Sequence, residues 1–140
     1  MTISAVEEKM KVVAGIPAGS YAAATVNGAV FDTKDFDELL IILDSKLNQA
    51  TGTLDVKVQE GRESDLSDAA DITGAVFAQI TTVNDATIYH ARINCKNWER
   101  YMRIVGVVAV ADCEYGVTVI LCKHDGLSPV TQVNTVVFKV

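Results

Sequence analysis

Residues 53–61, TLDVKVQEG, alternate apolar and polar side chains without a break. On an extended chain Leu54, Val56 and Val58 fall on one side, and Asp55, Lys57 and Gln59 on the other. A helix would scatter the same residues around its circumference. The pattern therefore demands a β-strand with one dry face, and a second layer to cover that face. TIYHARINCK, residues 87–96, repeats the alternation with Tyr89, Ala91, Ile93 and Cys95 on the inner side.

The rest of the chain reads the same way. TVNGAVFD contains Asn27-Gly28, a hairpin dipeptide; the competing reading is one strand over 22–32 bulged at Gly28. In FDELLIILDSKL, residues 36–47, a helical stripe (Leu39, Leu40, Leu43, Leu47, capped by Asp35) competes with a buried strand. The β character downstream favours the strand. RESDLSDAADITG is polar and turn-rich, with one helical turn expected near Leu66–Ala70, and AVFAQITTV over 75–83 reads as the next strand. In RYMRIVGVVAV, Met102, Ile104, Val108 and Val110 share the core face, and Tyr101, Arg103, Val105 and Val107 the other. The turn Ala111-Asp112-Cys113-Glu114 then returns GVTVILCKH as a hairpin partner, and TVVFKV closes the chain. Roughly seven or eight strands, about ten residues apart, indicate an antiparallel β-sandwich of Greek-key or jelly-roll kind. The predicted organisation is an extended N-terminal arm over 1–20, too rich in small residues to bury much on its own, and a sandwich domain over 21–140.

Composition narrows the function. A chain of 140 residues with 49% apolar and 21% charged residues is one globular domain that needs no staple. A net charge of −6 with scattered Lys and Arg argues against a nucleic-acid partner. No stretch has the length of a membrane-spanning helix, and Glu7, Glu8 and Pro17 spoil the faint signal-peptide pattern near the start, so no membrane partner is expected. The odd set Cys95, Cys113 and Cys122 reads as three reduced thiols in a cytosolic assembly, two of them small core hydrophobes.

The residues able to do chemistry are few. Cys122 and His124 lie two apart on a strand and could share an ion, but no second donor pair has ligand spacing, so no metal and no cofactor is expected. The same pair is formally a thiol–imidazole nucleophile, without a turn to expose the thiol. Cys113, between Asp112 and Glu114, reads as the most exposed thiol, quieted by those carboxylates. The carboxylates at Asp35, Asp37 and Glu38, and those along EGRESDLSDAAD, lack the order of a calcium loop and read as solvated loop charge. Phosphate-binding glycine loops and hydrolase motifs are absent from the sequence. Trp98 fits either a sugar-stacking or interface anchor, or a plug at the sandwich edge.

One resemblance joins these pieces. The LLIILD strand, the LDVKVQE strand with its polar continuation, the RYMRIVGVV strand after an aromatic turn, and YGVTVILCKHDGLSPV with the late Pro129 occur in an order that resembles the capsid decoration, or cement, proteins of tailed bacteriophages. These are small jelly-roll-like sandwiches, and the resemblance spans roughly residues 36–130. Members often carry an aromatic residue in the polar segment, and RESDLSDAAD has none, which leaves other head or tail structural roles open. The resemblance implies a non-enzymatic homotrimer on the major capsid protein, at the capsid exterior of a virion, stabilising the shell. It implies an arm contacting shell or neighbour, for which Ile3, Val6, Met10, Val12, Val13 and Ile16 are the candidates. Trp98, Arg100, Tyr101 and Arg103 are the candidate subunit interface. A stand-alone carbohydrate-binding sandwich is the alternative from a different class.

Overall fold

The computed structural model describes residues 10–85 and 87–123, and the backbone of 136–139. Ten strands form among the described residues: β1 Met10–Tyr21, β2 Thr25–Asn27, β3 Phe31–Asp32, β4 Glu38–Leu47, β5 Thr53–Gly61, β6 Ala70–Val76, β7 Tyr89–Asn94, β8 Tyr101–Ala109, β9 Cys113–Cys122 and β10 Val136–Lys139. One 3₁₀ turn, Cys95–Asn97, is the only helical element among the described residues. The first sheet has the order β1-β9-β4-β7-β10, and the second β2-β8-β5-β6, with β3 also on β8. All neighbours run antiparallel except β10 and β7.

The alternation read from the sequence sets the core. Leu54, Val56 and Val58 of β5 and Met102, Ile104 and Val108 of β8 face Leu39, Ile41 and Leu43 of β4 and Val117, Val119 and Leu121 of β9, all buried. The competition over residues 36–47 resolves as a strand. Its odd positions are buried, while β9 and β7 hydrogen-bond both its edges. Ala91, Ile93 and Cys95 are buried as expected, and Tyr89 packs half-buried against them.

Several expectations are corrected. β8 and β9 are not a hairpin: residues 110–112 carry the chain from the second sheet to the first, so the two strands face each other across the core. Gly106 of β8 shows why they can. A side chain there would collide with the Tyr115 ring and hydroxyl of β9. Cys113 consequently starts a central strand and is fully buried, not exposed in a turn. Val110, expected in the core, points out and is 72% exposed, whereas Val105 on the other face is buried. The strand expected over 75–83 is displaced to Ala70–Val76, and beyond it only the bridge between Ile80 and Leu54 continues the sheet. The shift follows from Asp71, whose carboxylate accepts from Lys57 and Gln59 of β5 and makes a polar segment a good edge strand. The helical turn expected near Leu66–Ala70 is absent: residues 63–69 form tight turns with Leu66 at φ 53, and Ala70 already begins β6.

Asn27-Gly28 is not a hairpin either. β2 and β3 pair consecutively along β8, as one strand interrupted at Gly28. The Gly28 N–H donates to the Ile104 carbonyl at 2.8 Å, and a Cβ at Gly28 would strike the Gly15 carbonyl of β1. Glycine is needed because two backbones touch there. Gly28→Ala should therefore lower stability by about 3 kcal/mol, the upper end of overpacking costs. Urea unfolding checks this through a lower midpoint at unchanged slope.

The predicted arm 1–20 divides. Residues 1–9 lie outside the described residues. Met10–Tyr21 is extended but laid along β9 as the edge of the first sheet. Ile16 is buried at 1% exposure in this chain's own core and is removed from the candidate contacts.

Candidate interaction surface

The Trp98/Arg100/Tyr101/Arg103 cluster sits where the β7–β8 connection turns into β8. The 3₁₀ turn is capped by Asn94, whose side chain accepts from the Lys96 N–H. Trp98 leaves this turn and packs half-buried on the core, its indole N–H buried without a hydrogen-bond partner among the described residues. This is the plug geometry; the ring is not a free stacking platform. Arg100 clamps β3 to β8. Its guanidinium donates twice to the Asp32 carboxylate, at 2.9 and 2.7 Å, and lies 4.9 Å from the Tyr101 ring centre. Its carbonyl accepts from both the backbone and the hydroxyl of Thr33. Arg103 donates to Gln59, Gln59 to Asp71, and Lys57 to Asp71, a ladder across β8, β5 and β6. The structure thus brings Arg100 and Tyr101 into contact, sets Trp98 on the core and Arg103 in the β8–β5 ladder, and engages both guanidinium groups within the chain.

The Arg100 hydrogen bonds hold the Asp32 carboxyl at about 2, well below its ordinary 3.8. A carboxyl depressed on folding adds stability above its unfolded value, and loses it as pH falls through the folded one. Asp32→Asn should melt below the native protein at neutral pH, and the gap should close between about pH 4 and pH 2. Thermal melts at stepped pH measure this; a gap independent of pH would show that the pair contributes nothing.

The thiols are unsuited to nucleophilic work. Burial pushes Cys95 and Cys113 up to about 11. For Cys113 burial acts first and Asp85 next, with Glu114 a minor contribution, so the expected carboxylate effect is secondary. Cys122 is raised by burial and by Glu38. Its suggested partner His124 lies outside the described residues. His90 of β7 is buried, and its Nε2 has no hydrogen-bond partner among the described residues. Among the described residues no three His, Cys, Asp or Glu side chains converge as metal donors. With thiolate populations this low, Cys95 and Cys113 should resist iodoacetamide at pH 8 in the folded protein and react fully in denaturant. Mass spectrometry of the alkylated chain reads this directly.

Of the remaining arm candidates, Met10 and Val12 are exposed on β1 and Val13 packs against the core; Ile3 and Val6 are outside the described residues. A shallow open groove on the outer face of the first sheet is lined by Ala18, Gly19, Ile42, Ile88, Gly116 and Thr118.

Strand alternation sends successive connections to opposite ends, and the two ends differ in chemistry. At one end, 33–37 carries Lys34, Asp35 and Asp37, and 62–69 carries Arg62, Glu63, Asp65 and Asp68. The connection 95–100 adds Lys96, Glu99 and Arg100, with ion pairs Lys96–Asp37, Arg62–Glu99 and Arg100–Asp32 among them. At the other end lie 22–24, 48–52, 77–85 with 87–88, and 110–112. They hold no Lys or Arg, and two carboxylates, Asp85 and Asp112. Asp85 caps the Leu47 N–H at 2.8 Å. This second end was missed in the sequence, because each of its loops is unremarkable alone.

No family model and no curated protein sequence matches the chain. Solved structures do resemble it in fold. The SPBc2 prophage-derived protein YomS aligns at TM-score 0.52 and 11% identity, over 80% of this chain and 91% of that one. The PBSX exported protein XepA aligns at 0.62 and 8%, over 96% of this chain and 44% of that one. VP2 of the infectious bursal disease virus subviral particle aligns at 0.54 and 9%, over 84% and 33%. The chain thus spans nearly the whole of one neighbour and less than half of the other two. At these identities the likeness establishes the β-sandwich fold.

Proposed function

We propose that this chain is a non-enzymatic structural protein of a phage virion, a decoration protein that binds the outer surface of the shell as a homotrimer. The observation that carries the reading is the shared sandwich: a prophage protein matches it along most of both chains, and a viral particle protein carries it too. The side-chain chemistry supports it. The thiols are driven away from reactivity, and Arg100 and Arg103 are tied within the chain, so the protein offers surface rather than a reaction centre. Its mechanism is adhesion. Modest contacts on several shell subunits add through effective concentration, and binding the assembled shell stabilises it by mass action.

The shell contact is assigned to the N-terminal segment, with Ile3, Val6, Met10 and Val12 as apolar contributors and the outer edge of β1, unpaired among the described residues, beside them. The likeness to a prophage protein named as exported favours a second reading, a secreted sandwich acting away from the particle.

A deletion separates the readings. Removing residues 1–9 leaves β1 and Ile16 in place, so the variant should melt within a few degrees of the full chain. Its co-sedimentation with shells of the phage that encodes it should fall at least about tenfold, the scale of losing one anchoring contact. Retention of full binding by the shortened chain contradicts the arm assignment, and a full-length chain that never sediments with shells contradicts the virion reading. Removing 1–20 is a different experiment, since it strips an edge strand and a core residue.

A further inference from the structure

β9 and β10 point the same way. β9 reaches β7 through two antiparallel pairings by way of β4, and β10 joins β7 in parallel. Between them in the sheet stand β4 and β7. A chain that leaves one strand and enters a parallel one has to come back along the sheet and cross the intervening strands over one of its faces. The connection here is 123–135. It leaves β9 beside the Glu38/Asn94 row, at the charged end, and enters β10 opposite His90, toward the other end. The inner face is closed to it, because Leu39, Ile41 and Ile93 are buried against the second sheet and β10 itself touches β6. The outer face remains.

That face has the composition of a covered one. A wet outer face carries polar residues, as β5 does with Asp55, Lys57 and Gln59. The outer positions of the first sheet instead hold Leu40 and Ile42 on β4, Ile120 on β9 and Val12 on β1. His90 supplies a second, independent observation. Its register with Ile42 puts it on the same outer face, where the described residues form no further layer. Yet it is only 5% exposed, and its Nε2 is buried without a hydrogen-bond partner among the described residues. Buried polar groups are ordinarily paired, so a partner from another part of the molecule is called for. Burial also rises across the face toward His90. Val12 at the β1 edge is 67% exposed, and Leu40 and Ile42 on β4 are half-buried.

Length and sequence select the occupant. The crossing covers three strand spacings, about 14 Å, and about 13 Å along the strands. A chain the length of 123–135 reaches about 43 Å when extended, so it has slack to lie along the face. HDGLSPVTQVNT, residues 124–135, contains no Lys or Arg. It sets Leu127, Val130 and Val133 three apart, and adds the side-chain hydroxyls and amides of Ser128, Thr131, Gln132 and Asn134. Apolar groups for Leu40 and Ile42, and hydrogen-bonding groups for the imidazole, are what the face requires. We propose that residues 124–135 cross the outer face of the first sheet over β4 and β7 and cover Leu40, Ile42 and His90. This face is then interior to the chain, not a docking surface for another molecule. The proposal rests on strand direction and does not depend on the functional reading above.

The test is native-state alkylation of the full chain, read site by site by mass spectrometry. Ile42→Cys should react with iodoacetamide at least about tenfold more slowly than Val12→Cys at the exposed edge of the same face. Replacing 124–135 by a Gly/Ser segment of equal length should speed Ile42→Cys about tenfold and leave Val12→Cys unchanged. Cross-linking keeps the proposal testable should the Gly/Ser variant not fold. Ile42→Cys, combined in turn with Leu127→Cys, Val130→Cys and Val133→Cys in the otherwise full chain, should give an intramolecular disulfide in at least one pairing. Equal rates at positions 42 and 12 overturn the proposal, as does the absence of a disulfide in all three pairings. Protection of position 42 that appears only as protein concentration rises also overturns it, and assigns the face to a second copy.

Discussion

The contact on which the rest of the structure depends is the one between β8 and β9 across the core. These strands are consecutive and joined by three residues, yet they belong to different sheets. Tyr115 reaches over from β9 and occupies the space that a side chain at position 106 would take. That contact fixes the sheet separation at mid-core, forces the crossing at 110–112, and so puts Val110 in its strained, outward conformation. Its ring also meets Tyr21 at 4.9 Å, which ties the end of β1 to the same point. Burial pushes the Tyr115 hydroxyl up to about 12, and it has no hydrogen-bond partner among the described residues, so packing rather than polarity holds the ring there.

From that frame the division of labour follows. The strands supply a dry interior, and their outer faces are tied by short polar ladders such as Arg103–Gln59–Asp71–Lys57. Exposed pairs of this kind add little stability each. They do fix which edge of each sheet is closed and where charge accumulates. The connections sort by end because antiparallel strands reverse direction at each turn. Among the described connections, one end gathers nearly all the charged side chains, and the other gathers alanines, valines and amides.

Much of the fold was legible from period-two alternation. β5 and β7 were readable residue by residue, because Leu54, Val56, Val58, Ala91 and Ile93 each lie on the face that the alternation assigns. β4 was readable as a strand only through its neighbours, since Leu40 and Ile42 on its outer face are also apolar and blur the period. Sheet membership was not legible. Alternation is identical for a hairpin and for two strands that face each other, so β8 and β9 looked like partners. Polar β6 was hidden because its strand character comes from the Asp71 bonds to β5, a long-range fact. Among the candidate residues, the sequence marked Arg100 and Trp98 as notable but could not show Asp32, 68 positions away, taking the guanidinium. The charge-poor end was written in the loops all along. It becomes visible only once the connections are sorted by the end of the sandwich to which they belong.

The central claim is that this sandwich is a structural part of a particle and acts by covering its surface. Quantitative mass spectrometry of density-banded particles from the phage or prophage that encodes the chain tests it most directly. The account predicts that the protein bands with the particles in fixed ratio to the shell protein, and that mild proteolysis of intact particles cleaves it within the charged loop 62–69. Particles that contain none of it, with the protein found instead free in the medium, would contradict the account.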